Sequence, residues 1–205
     1  MSTKAQPAAG ELVLETARLR LRRFRREDVD AIFAIISDSV AMQYYPKAFG
    51  RRDAMGWVER NLRRYQDDGY GLFAVTLKSS ADVIGDCGIV QKNVEGEVAM
   101  EVGYHFRRDQ WGHGYATEAA RGCMGMAFRD FGAEKVISLI RPENMPSRRV
   151  AERNGMKIER EVIHYGLPTL VYAMRREAFD SLQGLKPGIE RGAKGTADAV
   201  PFQNG

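Results

Sequence analysis

The sequence predicts a mixed α/β fold, an α+β arrangement around one central sheet. Its apolar pattern alternates between strand and helix periods in the order β, helix pair, three β, α, β, α, β, β. Leu72 to Phe106 reads as a meander of antiparallel strands. The stretch from Val98 through a helix to Ile140 is instead a strand–helix–strand crossover, which calls for parallel pairing of its two strands.

Residues 1–10, rich in Ala, Pro and small polar residues, read as a disordered leader. Leu12–Phe24 is the first strand; Leu19 and Leu21 share one face, and Arg18, Arg20 and Arg22 the other. Val29, Ile32, Phe33 and Ile36 recur at helical spacing within Asp28–Ile36. A second helix fits Asp53–Gln66, with Asp53 as N-cap and Trp57, Val58, Leu62 and Tyr65 on one face. Between the helices, the stretch from Gln43 to Gly50 is an irregular aromatic loop. Leu72–Leu77, Val83–Val90 (interrupted by Gly85 and Gly88) and Val98–Phe106 are strands. Thr117–Phe131 is a helix, Lys135–Arg141 a strand, and Ser147–Asn154 a short helix stopped by Gly155. Lys157–His164 and Leu170–Met174 complete the sheet. Residues 11–181 therefore form one domain, and 182–205, rich in Gly, Lys and Pro, a mobile tail.

With 44% hydrophobic and 28% charged residues, the 205-residue chain has the composition of a soluble globular domain. No apolar run approaches the roughly 20 residues that span a bilayer, and the N-terminus lacks the apolar centre of a secretory signal. Cys87 and Cys123 have no metal-ligand spacing and suggest no disulfide scaffold, so a cytoplasmic location and no metal are expected. Both thiols read as core. The net charge of +4 assists an anionic ligand. The stretch Arg18–Arg26 offers a phosphate-contacting stripe or a solvated strand face, and the lack of interleaved aromatics favours the second.

The chemistry-bearing stretch is Glu101 to Arg121. An apolar strand feeds a loop with Gly112 and Gly114, which opens into a helix at Tyr115. Two glycines at that joint let backbone N–H groups converge, and the helix N-terminus adds partial positive charge, making a seat for a phosphate or pyrophosphate. Thr117 stands where a dinucleotide fingerprint has its third Gly, and the Gly-Lys-Ser/Thr of a P-loop is missing.

Trp111-Gly-His-Gly-Tyr-Ala116 resembles the acyl-CoA pyrophosphate loop of the GNAT acetyltransferases, Arg/Gln-x-x-Gly-x-Gly/Ala, and the longer string through Ala119 is similar to their RimJ/RimL-type branch. Thr16–Arg23 resembles that branch's opening strand, Val83–Gly88 its Gly-containing third strand, and Asn144–Met156 its Asn-x-x-Ser-x-x-Val-x-Glu-Lys-x-Gly-Phe segment. The likeness covers residues 11–178. It implies a GNAT-like, mostly antiparallel sheet of about seven strands with a splayed parallel central pair, flanked by about four helices. It further implies acetyl-CoA as donor. The pantetheine arm would pair with the strand edge at His105, Phe106 and Arg107. The pyrophosphate would lie on Trp111, Gly112, His113, Gly114, Tyr115 and Ala116, with Asn144 and Ser147 facing the pantetheine and thioester. Trp111 and His113 depart from the general pattern, which has Gln or Arg and then Lys or Arg.

Acetyl transfer to an amine needs a base and a hydrogen-bond donor for the leaving thiolate. Glu101 is the first candidate base, with a structural ion pair as its alternative; His105 is a second base or an aromatic packing partner. Ser147 is the candidate donor or a helix N-cap, and Asn144 orients it or forms a turn. His164 and Tyr165 stand on the amine side. The expected function is an acyl-CoA-dependent N-acyltransferase acting on a protein N-terminus or a small amine, as monomer or homodimer, without membrane or nucleic-acid partners. A non-catalytic CoA-binding module is the alternative.

Overall fold

The computed structural model describes residues 9–45, 49–182 and 184. Residues 1–8 of the expected leader, and residue 183 with 185–205 of the expected tail, lie outside the described residues. The elements run β1 (Leu12–Glu15), β2 (Leu19–Arg22), α1 (Val29–Ile36), α2 (Arg51–Asp67), β3 (Leu72–Leu77), β4 (Val83–Val94), β5 (Glu97–Phe106), α3 (Tyr115–Arg129), β6 (Lys135–Ile140), α4 (Met145–Arg153), β7 (Lys157–His164), β8 (Leu167–Arg175) and α5 (Arg176–Leu182). The strands form one mixed sheet in the order β1-β2-β3-β4-β5-β6-β8-β7, with β5 and β6 parallel and the other neighbours antiparallel.

The count reaches eight strands because the expected first strand is a hairpin. Thr16 N–H donates to the Leu19 carbonyl at 3.0 Å and Thr16 Oγ1 accepts from Leu19 N–H at 3.1 Å, which folds β1 back on β2. The turn carries no Gly or Pro, so composition did not mark it. The alternation within β2 holds: Leu19 and Leu21 are fully buried. Arg18 and Arg20 on the other side are exposed, as expected of a solvated strand face, but the hairpin's arginines are not free. Arg18 pairs with Glu118, Arg20 with Glu15 and Arg22 with Asp28, each at 2.7 Å, and Arg23 with Glu11 at 3.3 Å. Two helices here also differ from expectation. Asp53 sits at the third position of α2 rather than at its N-cap, accepting from Gly50 N–H at 2.8 Å. A fifth helix, α5, follows β8 without a break and buries Phe179 against Phe128, ring centroids 5.0 Å apart.

Adjacent residues of β4 show how the layers are arranged. Asp86 accepts a bond from Trp57 of α2, while Cys87 meets Cys123 of α3, sulfur to sulfur 3.6 Å. Neighbours on a strand point to opposite faces, so α2 and α3 cover opposite sides of the sheet. Both thiols are fully buried and free, and burial pushes the Cys87 thiol up, as befits core residues. Gly88 is demanded by packing: a Cβ there would come within 2.0 Å of the Gly71 carbonyl oxygen.

The sheet opens at its centre. β5 pairs with β6 only at Met100–Val136 and Glu101–Ile137, although β4 follows β5 to Phe106 and β8 follows β6 to Ile140. Beyond Glu101 the two parallel strands part. The Ser138 hydroxyl donates to the Val102 carbonyl at 2.7 Å just past the fork, and the gap widens toward the carboxyl ends. That is where ligands bind in sheets of this kind.

Candidate active site

A cleft of about 1030 Å³ occupies this opening. It runs from the Gly112–Gly114 loop, past Glu101 at the fork, to the side chains of α2.

The edge of β5 that faces the gap is read from its hydrogen bonds. Val102 and Phe106 turn their carbonyls toward it, since these accept from Ser138 Oγ and, at 2.9 Å, from Trp111 Nε1. Tyr104 lies between them in the same alternation, so its N–H and C=O face the gap as well. Arg107 N–H, by contrast, donates to Ile84 of β4 at 2.9 Å, and His105 shares that orientation. Of the three residues expected to offer backbone on this edge, only Phe106 does so. The reason is strand parity, which a one-residue offset inverts. Tyr104 was missed. Its hydroxyl, with a pKa raised mainly by burial, donates to the Ser147 carbonyl at 3.0 Å and ties β5 to α4 across the cleft.

The loop beyond β5 is built as the glycines suggested. Gly112 and Gly114 have φ of +80° and +79°, a left-handed geometry that favours glycine, and Gly114 is the N-cap of α3. The first turn of α3 leaves the N–H groups of Tyr115, Ala116 and Thr117 without helical partners. Arg18 pins this turn from behind. It donates to the His113 carbonyl at 2.9 Å and to Glu118 Oε2 at 2.7 Å, while Glu118 Oε1 accepts from Arg18 N–H and Thr16 Oγ1. Burial opposes the Glu118 charge, but these bonds outweigh it and hold its pKa below the ordinary value. His113 stacks on Tyr115, and the Arg18 guanidinium lies 4.7 Å from the Tyr115 ring centre.

On the far wall, Asn144 is the N-cap of α4: its Oδ1 accepts from Ser147 N–H at 3.1 Å. The helix begins at Met145, two residues before its expected start, so Ser147 lies in the first turn and is not the cap. Pro146 in that turn needs no N–H partner. Both Asn144 and Ser147 line the cleft, and the Ser147 hydroxyl is committed to no bond among the described residues.

Glu101, Gly103 and His105 project to the α2 side. Glu101 sits at the fork, with Oε1 3.4 Å from Leu139 N–H and Oε2 3.8 Å from Lys92 Nζ. Burial raises its pKa, against the opposing pull of Lys92 and the Leu139 N–H. His105 is held at both ring nitrogens, Nδ1 2.8 Å from Asp86 Oδ1 and Nε2 2.6 Å from Tyr45 Oη. Burial works against its charge, yet Tyr45 and the Asp86 carboxylate prevail and push its pKa up to about 10. The other oxygen of Asp86 accepts from Trp57 Nε1 at 2.8 Å. Asp86 and Tyr45 were not anticipated. A signal existed for Asp86, a lone carboxylate in the apolar stretch Val83–Val90. Tyr45, Trp57, Arg60, Arg64, His164 and Tyr165 complete this side. Residues 46–48 of the aromatic loop lie outside the described residues. Among those described, no helix is long and apolar enough to cross a membrane.

A sheet parted between two parallel strands, with a helix N-terminus at one end of the gap and a half-buried carboxylate at its fork, makes up the site. The family described as Acetyltransferase (GNAT) domain matches residues 18–157, and the chain belongs to it. The Bacillus subtilis protein YkkB is 36% identical over 160 residues, covering 78% of this chain and 93% of that protein. The crystal structure of a GNAT-family acetyltransferase from Bacillus anthracis superposes with a TM-score of 0.68 at 30% identity, covering 80% of this chain and 98% of the other. RimL, a ribosomal L7/L12 alpha-N-protein acetyltransferase solved in complex with coenzyme A, shares the fold at 17% identity and a TM-score of 0.66, over 82% of this chain and 99% of its own. The chain is thus an acyl-CoA-dependent N-acyltransferase with RimL-like structural neighbours.

Proposed function

We propose that the protein transfers the acetyl group of acetyl-CoA directly to a primary amine, in the cytoplasm. The observation that carries this reading is the fork at Glu101. A half-buried carboxylate stands where the parallel strands part, between a strand edge with open backbone groups and a wall open to an acceptor.

The residues fit the donor. The main-chain groups of Tyr104 and Phe106 match a pantetheine amide chain laid alongside β5. The unpartnered N–H groups of the α3 first turn, with Gly112, His113 and Gly114 before them, match a pyrophosphate. Trp111 holds the strand end that leads into this loop.

Glu101 takes the role of base. Its raised pKa makes it a better proton acceptor than an ordinary carboxylate. His105, protonated up to about pH 10, is an unsuitable base and acts instead as a fixed cation beside Glu101. The amine nitrogen bonds to the thioester carbonyl carbon, its proton passes to Glu101 directly or through water, and the carbon–sulfur bond breaks. The Ser147 hydroxyl donates a hydrogen bond to the departing thiolate, and Asn144 keeps that helix turn in place.

The test is release of free thiol from acetyl-CoA in the presence of a panel of small amines and N-terminal peptides. Amine-dependent release with a matching acetylated product is expected. Acetyl-CoA binding without release on any amine would overturn the reading in favour of a non-catalytic module.

A further inference from the structure

The acceptor wall carries charges that the transfer reaction does not use. Arg60 and Arg64 lie one turn apart on α2, on the same side as Trp57 and Asn61, and both line the cleft. Among the described residues neither forms an ion pair. The Arg64 side chain bonds to Asn61 Oδ1 at 3.2 Å, and Arg60 rests near the Trp57 ring, 5.8 Å from its centre. The arginines of the β1–β2 hairpin, in contrast, are each matched to a carboxylate.

The nearby anions are already engaged. Asp53 caps Gly50, Asp86 serves Trp57 and His105, and Glu101 is approached by Lys92. Burial, with the positive neighbours Arg64 and Arg63, lowers the Arg60 pKa. Arg64 and Lys92 also act on Glu101, so this charge lies within reach of the reacting amine. It is not placed for the donor's pyrophosphate, because α2 covers the opposite side of the sheet from α3.

We propose that Arg60 and Arg64, with Lys92, form an anion subsite, and that the acceptor is a small primary amine carrying a carboxylate or phosphate close to its nitrogen. This rests on the acetyltransferase reading above. The anion would receive charge-assisted hydrogen bonds from the guanidinium groups and so hold the amine against Glu101.

The experiment compares kcat/KM for matched amines on the full chain: β-alanine against its amide, and phosphoethanolamine against ethanolamine. The anionic member should be favoured by about 10- to 100-fold, the worth of a hydrogen bond to a charged group. The pair with the larger ratio tells carboxylate from phosphate. Arg60→Gln and Arg64→Gln should each shrink that ratio while acetyl-CoA affinity is retained. Equal kcat/KM within both pairs, a ratio that survives both substitutions, or an advantage confined to peptides with acidic side chains beyond the first residue would overturn the subsite. If no amine releases thiol, calorimetric titration of the CoA-loaded protein with the two anionic amines decides the matter. Saturable binding lost in the arginine variants supports the subsite, and no binding overturns it. Failure of acetyl-CoA itself to bind overturns the acetyltransferase reading instead.

Discussion

Asp86 Oδ1 lies 2.8 Å from His105 Nδ1, and this contact joins β4 to β5 beneath the acceptor wall. Asp86 is fully buried, and its second oxygen holds Trp57 of α2, so one carboxylate fixes a strand, a helix and a charged ring. The first prediction concerns that ring. A histidine raised from 6.5 to about 10 adds stability in full below about pH 6.5 and loses it as pH climbs through about 10. Two-dimensional NMR of the imidazole should show it protonated at pH 8. Asp86→Asn should lower its pKa by more than one unit and flatten the pH dependence of stability between about 6.5 and 10. Asp86→Ala should cost about 3–5 kcal/mol, because it leaves the buried imidazolium uncompensated. A His105 that titrates at its ordinary value would refute the pairing.

The second prediction follows from Glu101 and Lys92. The acid limb of the kcat/KM profile should lie above the ordinary glutamate value, because burial raises the Glu101 pKa. Lys92 opposes that rise, so Lys92→Met should move the limb to still higher pH. Glu101→Gln should reduce kcat by about 10²- to 10⁴-fold with little change in acetyl-CoA affinity. A limb that ignores Lys92, or full activity in the glutamine variant, would remove Glu101 from the mechanism.

The third prediction separates backbone geometry from steric room at the loop. A Cβ on Gly114 would meet nothing closer than the Arg18 guanidinium at 3.6 Å, so space permits a side chain. The φ of +79° does not, since a β-branched residue rarely adopts that region. Gly114→Val should therefore abolish acetyl-CoA stabilisation in a thermal melt while the protein stays folded. Undiminished stabilisation would mean that the first turn of α3 is not the pyrophosphate seat.

The parts of this fold carried by local periodicity were legible in the sequence. Strands such as Leu72–Leu77 and Lys157–His164 coincide with their expected spans, and the crossover through α3 correctly called for a parallel pair. The glycines marked the loop because positive φ is a local demand. Errors arose where a partner distant in sequence decides the outcome. The β1–β2 turn is closed by Thr16 and backed by Glu118, about a hundred residues away. Strand parity, which turned Tyr104 rather than His105 and Arg107 to the gap, depends on the register against β4. The Asp86–His105–Tyr45 chain unites three segments, and pairing across elements leaves no periodic trace. The acceptor wall is the extreme case, since its chemistry lies in which charges remain unmatched after folding.

Asn144 and Ser147 yield the last prediction, because one hydrogen bond separates their two roles. The bond uses the Asn144 side chain and the Ser147 backbone N–H, so it survives loss of the serine hydroxyl. Ser147→Ala should leave thermal stability within about 0.5 kcal/mol of the original, as expected for a substitution that removes no cap. It should nonetheless lower kcat by about 10-fold or more, if the hydroxyl stabilises the leaving thiolate. Asn144→Ala should cost about 1 kcal/mol through the lost cap, whereas Asn144→Asp, also a good capping residue, should retain most of it. Activity should then follow helix placement in the Asn144 variants and the hydroxyl alone in Ser147→Ala. A Ser147→Ala enzyme with unchanged kcat would leave Ser147 a structural part of α4, and the thiolate would have to draw its proton from water.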